Sequence, residues 1–492
     1  MNRSQLPTTA FLDPTGANRA EIDALAREVL DLVLASAASA ADRSPVPAFD
    51  EFPFPVEIPE TARPLDDLLA QVRIALAGSM NPASPNYLGH MDPLASTFSM
   101  LGDLVVASLN NNMLAVEMSP VFSRLEIRLL RAFAQRFGLG DNSGGVLLSG
   151  GSLGNLQALT VARNRSFPES AEHGLHSLPQ PPVVLASEAA HTSLQKVGML
   201  LGLGTQGVIP VATNAHSQMD VADLRRKLEQ AKQQGKAPFA IVGTVGTTVT
   251  GSIDPVPEIA AVAREHGLWL HVDAVYGGAL ILSDRLRGML EGVEQADSLT
   301  FNPQKWLYVT KVCAMTLFRD FAGMQQAFRI GAPYMTYAED VVNLGEITVQ
   351  GTRHPDILKL WLSLQHIGRQ AHASLLEDSL ALARFFAEEI RRRPHLRLLQ
   401  DPVLNVVVFR AEPAGLPESE WDALNQHLQQ SLLSRHQTFF SLPTYRSNFW
   451  LRSVLLNPWT SEQTLTTALQ HIDELIDELV AESQLPPRKG EA

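Results

Sequence analysis

The sequence predicts an α/β protein: a large domain built on a mainly parallel sheet, with an N-terminal helical segment before it and a small C-terminal α+β domain after it. From about residue 119, short β-rich runs at 146–148, 183–186, 208–211, 239–245, 268–272, 298–301 and 314–318 alternate with amphipathic stretches such as 221–233 and 255–266. The runs are continuously apolar, as strands covered by helices on both faces must be. Beyond a long helical stretch at 357–393 the order changes, with strands expected at 396–399, 405–409 and 449–455 and a closing helix at 461–482. Upstream, a helix at 19–38 leads into the proline-rich stretch 44–64, which suits neither a regular helix nor a central strand. The expected division is 1–110 for the N-terminal helical and proline-rich arm, 111–375 for the large domain and 376–492 for the small one.

Local signals place the element ends. Ser119 and Pro120 suit N-cap and N1 of a helix whose apolar face carries Phe122, Leu125, Leu129, Phe133 and Phe137. Asp254 is expected to cap the helix at 255–266, and Gly267 to end it.

Composition narrows the function. With 45% hydrophobic and 18% charged residues, 492 residues can bury a large interior. The 52 acidic side chains outnumber 39 basic ones, and a net charge of -13 opposes binding to nucleic acid or to an anionic membrane surface. A small-molecule ligand is expected instead. The single cysteine, Cys313, rules out an internal disulfide and thiolate-built metal sites, and no metal centre is expected. The N-terminus lacks a signal-peptide pattern and no stretch stays apolar for about 18 residues, so a soluble, cytoplasmic protein is expected.

In an open α/β sheet ligands bind beyond the carboxyl ends of the strands. Four such ends carry suggestive residues: the turn Ser149-Gly150-Gly151-Ser152, the segment SEAAH ending at His191, LWLHVDAVYGG with Asp273, and SLTFNPQKW with Lys305. Singly, each has an ordinary structural explanation: a tight turn, a helix-start histidine, a capping aspartate, a surface lysine. Together, in successive strand ends, they suit pyridoxal phosphate chemistry. That chemistry needs a lysine for the Schiff base, an anion at the pyridine nitrogen, a flat group over the ring and a helix start for the phosphate. Lys305, Asp273, His191 and the Gly151/Ser152 turn supply these in turn.

Gly150-Gly151-Ser152-Leu153-Gly154 also fits the nucleophile elbow of a serine hydrolase, with Asp273 and His354 or His366 available later in the chain. That reading leaves Lys305 and the setting of Asp273 unexplained. The formal GxGxxG at 202–207 precedes VIPV, a strand pattern where a dinucleotide site needs a helix.

At HVDAVYGGA, FNPQKW, GTVGTTVTGSIDP and SEAAHTS the sequence resembles the group II pyridoxal-phosphate-dependent amino-acid decarboxylases, the family of the glutamate, cysteine sulfinate and aromatic amino-acid decarboxylases. The likeness runs from about 85 to 458. It implies a fold-type-I homodimer with the active site at the subunit interface, converting an L-amino acid to its amine and carbon dioxide. It further implies that Lys305 holds the cofactor, Asp273 pairs with the ring nitrogen, His191 covers the ring, Thr247 sits near the ring oxygen, and Ser152, Ser298 and Asn302 surround the phosphate. SLNNNMLAVEMSPVFSRLE is similar to the glutamate and cysteine sulfinate branch, making Asn110 and Asn112 candidates for the substrate mouth. SNFWLRSVLLNP resembles the strand whose arginine, here Arg452, lies near a substrate carboxylate; QGTRHPDILKLW resembles the entry to the long helix, with Arg353 in its basic position. The reading prefers an acidic or small polar substrate.

Two departures from the family pattern matter. Gln304 stands where a histidine is usual; an amide can donate to phosphate but cannot carry charge. The family's loop tyrosine, the proton donor, falls near GAPYMTYAEDVVNLGEI, with Tyr334 and Tyr337 as candidates. Loss of that tyrosine's role would divert the reaction to decarboxylation-coupled oxidative deamination, giving an aldehyde. Transamination and lyase chemistry are further alternatives.

Overall fold

Seven of the apolar runs pair into one sheet: β1 (Gly144–Leu148), β2 (Pro182–Ser187), β3 (Val208–Val211), β4 (Ala237–Thr244), β5 (Trp269–Asp273), β6 (Ser298–Phe301) and β7 (Ala314–Phe318), in the order β1-β7-β6-β5-β4-β2-β3. The computed structural model describes residues 6–48, 52–331 and 342–483. From β6 to β3 neighbouring strands run parallel, while β7 is antiparallel to both β6 and β1. The sheet is mainly parallel, as expected. Because β7 reverses direction on both sides, β1 points the same way as β6, and the carboxyl ends of all the other strands share one edge.

Alternation along each strand divides the core into two layers. Val184, Ala186, Ala240 and Val242 face Leu159, Ala162, Leu194 and Val197 of the helices Gly151–Ser166 and Ser193–Leu200. Leu185, Ile241, Val272 and Leu299 face the other way, in one cluster with Leu130, Phe133, Leu228 and Ile259 of the helices Pro120–Arg136, Val221–Gln233 and Val256–Glu265. Both faces are thereby dry, which is why the strands lack a polar side.

The chain forms two compact units. The sheet unit comprises Met91–Arg410 with Pro443–Leu456. It includes β8 (Leu396–Leu398), β9 (Val406–Ala411), the hairpin β10 (Thr444–Tyr445) and β11 (Asn448–Phe449), and β12 (Leu451–Val454). A second, three-stranded sheet has the order β12-β9-β8. The other unit comprises Met1–His90, Ala411–Leu442 and Asn457–Ala492, and contains the helices Arg19–Ala38, Leu65–Gly78, Trp421–His436 and Glu462–Ser483. Within it, Leu88 N–H donates to Phe439 O and Phe439 N–H to Asn86 O. No helix among the described residues is long and apolar enough to cross a membrane.

Two local expectations change. Asp254 does not cap its helix: Pro255 takes the N-cap position, and the buried Asp254 carboxylate accepts from Met219 N–H (2.7 Å) and Thr244 N–H (2.8 Å), tying two loops to β4. Burial pushes its pKa up to about 6. The long helix, Ile357–Arg391, is interrupted at Gly368, whose φ of +74° suits glycine and breaks the helical run.

A buried bidentate ion pair holds the segment leading into that helix. Arg353 donates through Nη1 to Glu126 Oε2 (2.8 Å) and through Nη2 to Oε1, while Leu147 N–H of β1 donates to Glu126 Oε1 (3.0 Å). On the helix itself, His372 is 1% exposed and neither ring nitrogen has a hydrogen-bond partner among the described residues. Burial pushes its pKa down to about 4, below the 6.5 of an unperturbed histidine. The folded chain therefore resists the proton that the unfolded chain accepts, and stability falls as pH drops from 6.5 towards 4. His372→Leu is expected to flatten this acid decline of the unfolding free energy, by up to about 1.4 kcal/mol per pH unit, without lowering Tm at neutral pH. An unchanged acid slope would show that His372 is not its source.

Candidate active site

The carboxyl ends of β1, β4, β5 and β6, with the turn after β2, surround one cavity of about 250 Å³. Its wall includes Gly150, Gly151, Ser152, Asn155, His191, Thr244, Thr248, Asp273, Asn302, Gln304 and Lys305. β1 leads through Ser149 and Gly150 directly into the helix Gly151–Ser166. Gly150 has φ of +114°, and a Cβ on Gly151 would lie 2.6 Å from Val275 Cγ2 and 3.3 Å from the Asn302 amide. Only glycines allow this approach. The first N–H groups of the helix are left for whatever occupies the cavity, and the positive end of its dipole favours an anion. Ser149 is clamped by Gln350, which accepts from Ser149 N–H (2.9 Å) and donates to Ser149 Oγ (2.8 Å).

Asp273 closes β5 and is 5% exposed. Its Oδ2 accepts from Asn155 Nδ2 (2.9 Å), and its Oδ1 from Val275 N–H (3.2 Å). Lys305 follows β6; its Nζ lies 3.8 Å from Met91 Sδ and 5.9 Å from the centre of the Tyr276 ring. Burial lowers the pKa of this amine from that of a free lysine, with Asp273 and Asp92 opposing the shift and Arg452 and Lys311 adding to it. His191 accepts at Nδ1 from Ser193 N–H (3.1 Å), so the neutral ring carries its proton on Nε2. Its pKa too is lowered, first by burial and then by Lys305 and Lys196, against Asp273.

Gln304 Oε1 accepts from Cys313 N–H, which leaves its amide N–H₂ as the group available to the cavity. Asn302 Oδ1 is buried without a hydrogen-bond partner among the described residues.

Other expected site residues stand apart from this wall. Thr247 is 1% exposed, its Oγ1 sharing a hydrogen bond with Thr250 Oγ1 (2.7 Å) and accepting from Ser252 N–H (3.0 Å); its neighbour Thr248 lines the cavity instead. Ser298 begins β6 at the sheet's far end from the cavity, where its Oγ accepts from Trp269 Nε1 (2.8 Å). Arg452, on β12, is 5% exposed and donates from Nη1 to Thr248 O (2.5 Å), touching the wall from behind. Asn110 is the left-handed C-cap of the helix Thr97–Leu109, and Asn112 bonds Thr352 and Leu114; neither lines the cavity. Tyr334 and Tyr337 lie outside the described residues. Ser152 lies on the wall, but no histidine hydrogen-bonds it among the described residues, and the His366 ring packs on Phe98 (4.4 Å). The hydrolase triad is not assembled.

Two residues that serve the site went unnoticed in the sequence. His271 precedes Asp273 by two positions and so shares its face of β5; Asn155 sits one turn into the glycine-capped helix. Both are fully buried polar side chains inside otherwise apolar patterns.

Residues 49–412 match the pyridoxal-dependent decarboxylase conserved domain. The chain is 30% identical over 435 residues to the acidic amino acid decarboxylase GADL1 of Mus musculus, covering 85% of this chain and 78% of that protein. It is also 30% identical over 440 residues to the L-2,4-diaminobutyrate decarboxylase of Acinetobacter baumannii, covering 85% and 86%. The crystal structure of mouse CSAD in apo form aligns with a TM-score of 0.86 at 27% identity, covering 93% of this chain and 99% of that one. A matched domain over most of the sequence and a shared fold leave one conclusion: the chain belongs to the pyridoxal-dependent decarboxylase family, amino-acid carboxy-lyases that work with pyridoxal 5′-phosphate.

Proposed function

We propose that the strand-end cavity is the catalytic centre, with Lys305 as the amine that takes the cofactor aldehyde, Asp273 as the anion at its ring nitrogen and His191 as the flat side chain over its ring. What carries this reading is one buried amine and one buried carboxylate on a single cavity wall, at the ends of the neighbouring strands β5 and β6, with the amine desolvated. The wall fits the cofactor's other end as well: the Gly151 cradle has no room for a Cβ, and Gln304 leaves its amide N–H₂ to the cavity as a donor. Gly151, Ser152, Asn302 and Gln304 are assigned to the phosphate. Thr247 and Ser298 act through their neighbours, Thr247 by shaping the turn that presents Thr248.

When bound, pyridoxal phosphate supplies an electron-accepting ring for the pair left at Cα as carbon dioxide departs. The chain does the rest. The Asp273 carboxylate, oriented by Asn155 and the Val275 N–H, favours a protonated ring nitrogen. Lys305, its pKa lowered by burial, gives up its proton more readily than a free lysine and so serves as nucleophile and proton acceptor. His191 offers Nε2–H to the cavity.

The substrate is read as an acidic or small polar L-amino acid. The names of the relatives, an acidic amino acid decarboxylase and a diaminobutyrate decarboxylase, agree with that range. So does the Arg452 guanidinium behind Thr248, whose charge reaches Lys305. Carbon dioxide release should be measured with L-aspartate, L-cysteine sulfinate, L-glutamate, L-2,4-diaminobutyrate and aromatic amino acids, with oxygen uptake followed in parallel. Equal carbon dioxide and amine from acidic or small polar substrates, without oxygen uptake, is expected; turnover restricted to aromatic substrates, or aldehyde formed at the expense of oxygen, would contradict the reading. Arg452→Met, which removes the donor to Thr248 O and a positive charge behind the wall, should raise KM for an acidic amino acid and leave the absorbance of the bound cofactor unchanged. A variant with unaltered KM would remove Arg452 from substrate recognition.

The active form is read as a homodimer with the site at the interface, in a reducing cytoplasm. Exposed Phe98, Leu104, Val105 and Leu109 on the helix Thr97–Leu109 support the first point, and a lone buried cysteine the second. Leu104→Glu with Leu109→Glu is expected to give an inactive monomer by light scattering and assay. Full activity in a monomer would contradict the dimeric site.

A further inference from the structure

A chain of hydrogen bonds crosses the buried face of β5 and ends on Asp273. Trp269 Nε1 donates to Ser298 Oγ (2.8 Å); Ser298 Oγ lies 2.9 Å from His271 Nδ1; His271 Nε2 lies 3.0 Å from Asn155 Oδ1; and Asn155 Nδ2 donates to Asp273 Oδ2 (2.9 Å). His271, Ser298 and Asn155 are each 1% exposed or less.

The direction of every bond follows from the two ends. An indole N–H can only donate, and an ionised carboxylate can only accept. Asn155 must therefore turn its N–H₂ to Asp273 and its oxygen to His271, which then needs its proton on Nε2. Nδ1 is left to accept the Ser298 hydroxyl proton, and Ser298 Oγ to accept from Trp269. A proton on Nδ1 alone would set the Nε2 lone pair against the Asn155 oxygen, or, with the amide turned, the Asn155 oxygen against the Asp273 carboxylate. With one proton on the ring, one arrangement satisfies all the groups. Burial, which pushes the His271 pKa down to about 4, keeps a second proton off the ring at neutral pH.

We propose that His271 is a positioning residue for the decarboxylation: neutral and protonated at Nε2, it locks the Asn155 amide with its N–H₂ towards Asp273 and so holds that carboxylate charged and oriented for the cofactor's ring nitrogen. The proposal rests on the reading of Asp273 as the ring-nitrogen partner. A purely structural polar cluster would affect stability and leave ring-nitrogen recognition alone.

The first test needs no cofactor. Nitrogen NMR of the histidine-labelled apoprotein, with the His271 signals assigned by their loss in His271→Gln, should show a neutral Nε2–H ring from about pH 8 to about pH 5.5. An Nδ1–H ring or an imidazolium in that range overturns the proposal, and the state is read on the wild-type protein, the variant serving for assignment alone. The second test compares dissociation constants for pyridoxal phosphate and its analogue with C–H in place of the ring nitrogen. His271→Phe should cut the preference for pyridoxal phosphate about tenfold, the worth of a hydrogen bond to a charged group, with affinity for the carbon analogue unchanged. His271→Gln, which can donate to Asn155 and accept from Ser298, should restore the preference. An unchanged preference in His271→Phe overturns the relay alone; a wild-type protein indifferent to the ring nitrogen overturns the reading of Asp273, and the relay with it.

Discussion

The hydrogen bonds that converge on the Asp273 carboxylate are the constraint that the rest of the site serves. A carboxylate at 5% exposure is costly unless donors replace the water it has lost. Here they are a side-chain amide from the glycine-capped helix and a backbone N–H from the turn that follows β5. Each donor is itself tied down, Asn155 by His271 and the turn by the strand register. The same burial that makes the carboxylate expensive lowers the pKa of Lys305 on the same wall, so one recessed cavity prepares both the anion and the nucleophile.

Such a site needs a scaffold that does not relax. Buried charge pairs away from the cavity provide part of it: Glu126 joins Arg353 to β1, and Lys359, 1% exposed, meets both Asp103 and Asp356 at 3.1 Å. Replacing such pairs with apolar residues can be neutral, but removing one partner strands a charge at a cost of about 3–5 kcal/mol. They fix which segments meet. The glycines at the first strand-to-helix turn are required for another reason, since any side chain on Gly151 would occupy the space of Val275 and Asn302.

Much of this was legible in the amino-acid sequence because it rests on local chemistry. The apolar runs of a sheet covered on both faces, Pro120 at a helix start and the polar residues after successive strands are all patterns of a few residues, and Gly151, Ser152, His191, Asp273 and Lys305, which such patterns single out, line one cavity. What was hidden depends on side-chain direction and tertiary partners. Asp254 looks like a helix cap until the backbone of Met219 and Thr244 turns towards it. Thr247 and Thr248 are indistinguishable in a string of threonines, yet one faces the interior of its turn and the other the cavity. Ser298 bonds Trp269 across the strand pair, and Gly368 interrupts a helix whose apolar period continues on either side. The three-stranded sheet packs in one unit with the large sheet although its sequence lies near the C-terminus, a grouping that no local pattern encodes.

The central claim is that Asp273 holds a charge against the cofactor's ring nitrogen. Its most direct test is the nitrogen NMR shift of the holoenzyme loaded with pyridoxal phosphate carrying ¹⁵N in the ring, measured for wild type and Asp273→Asn. A protonated ring nitrogen in the wild type that loses its proton in the variant is the predicted result. An unprotonated nitrogen in the wild type, or a proton retained without the carboxylate, would contradict the account.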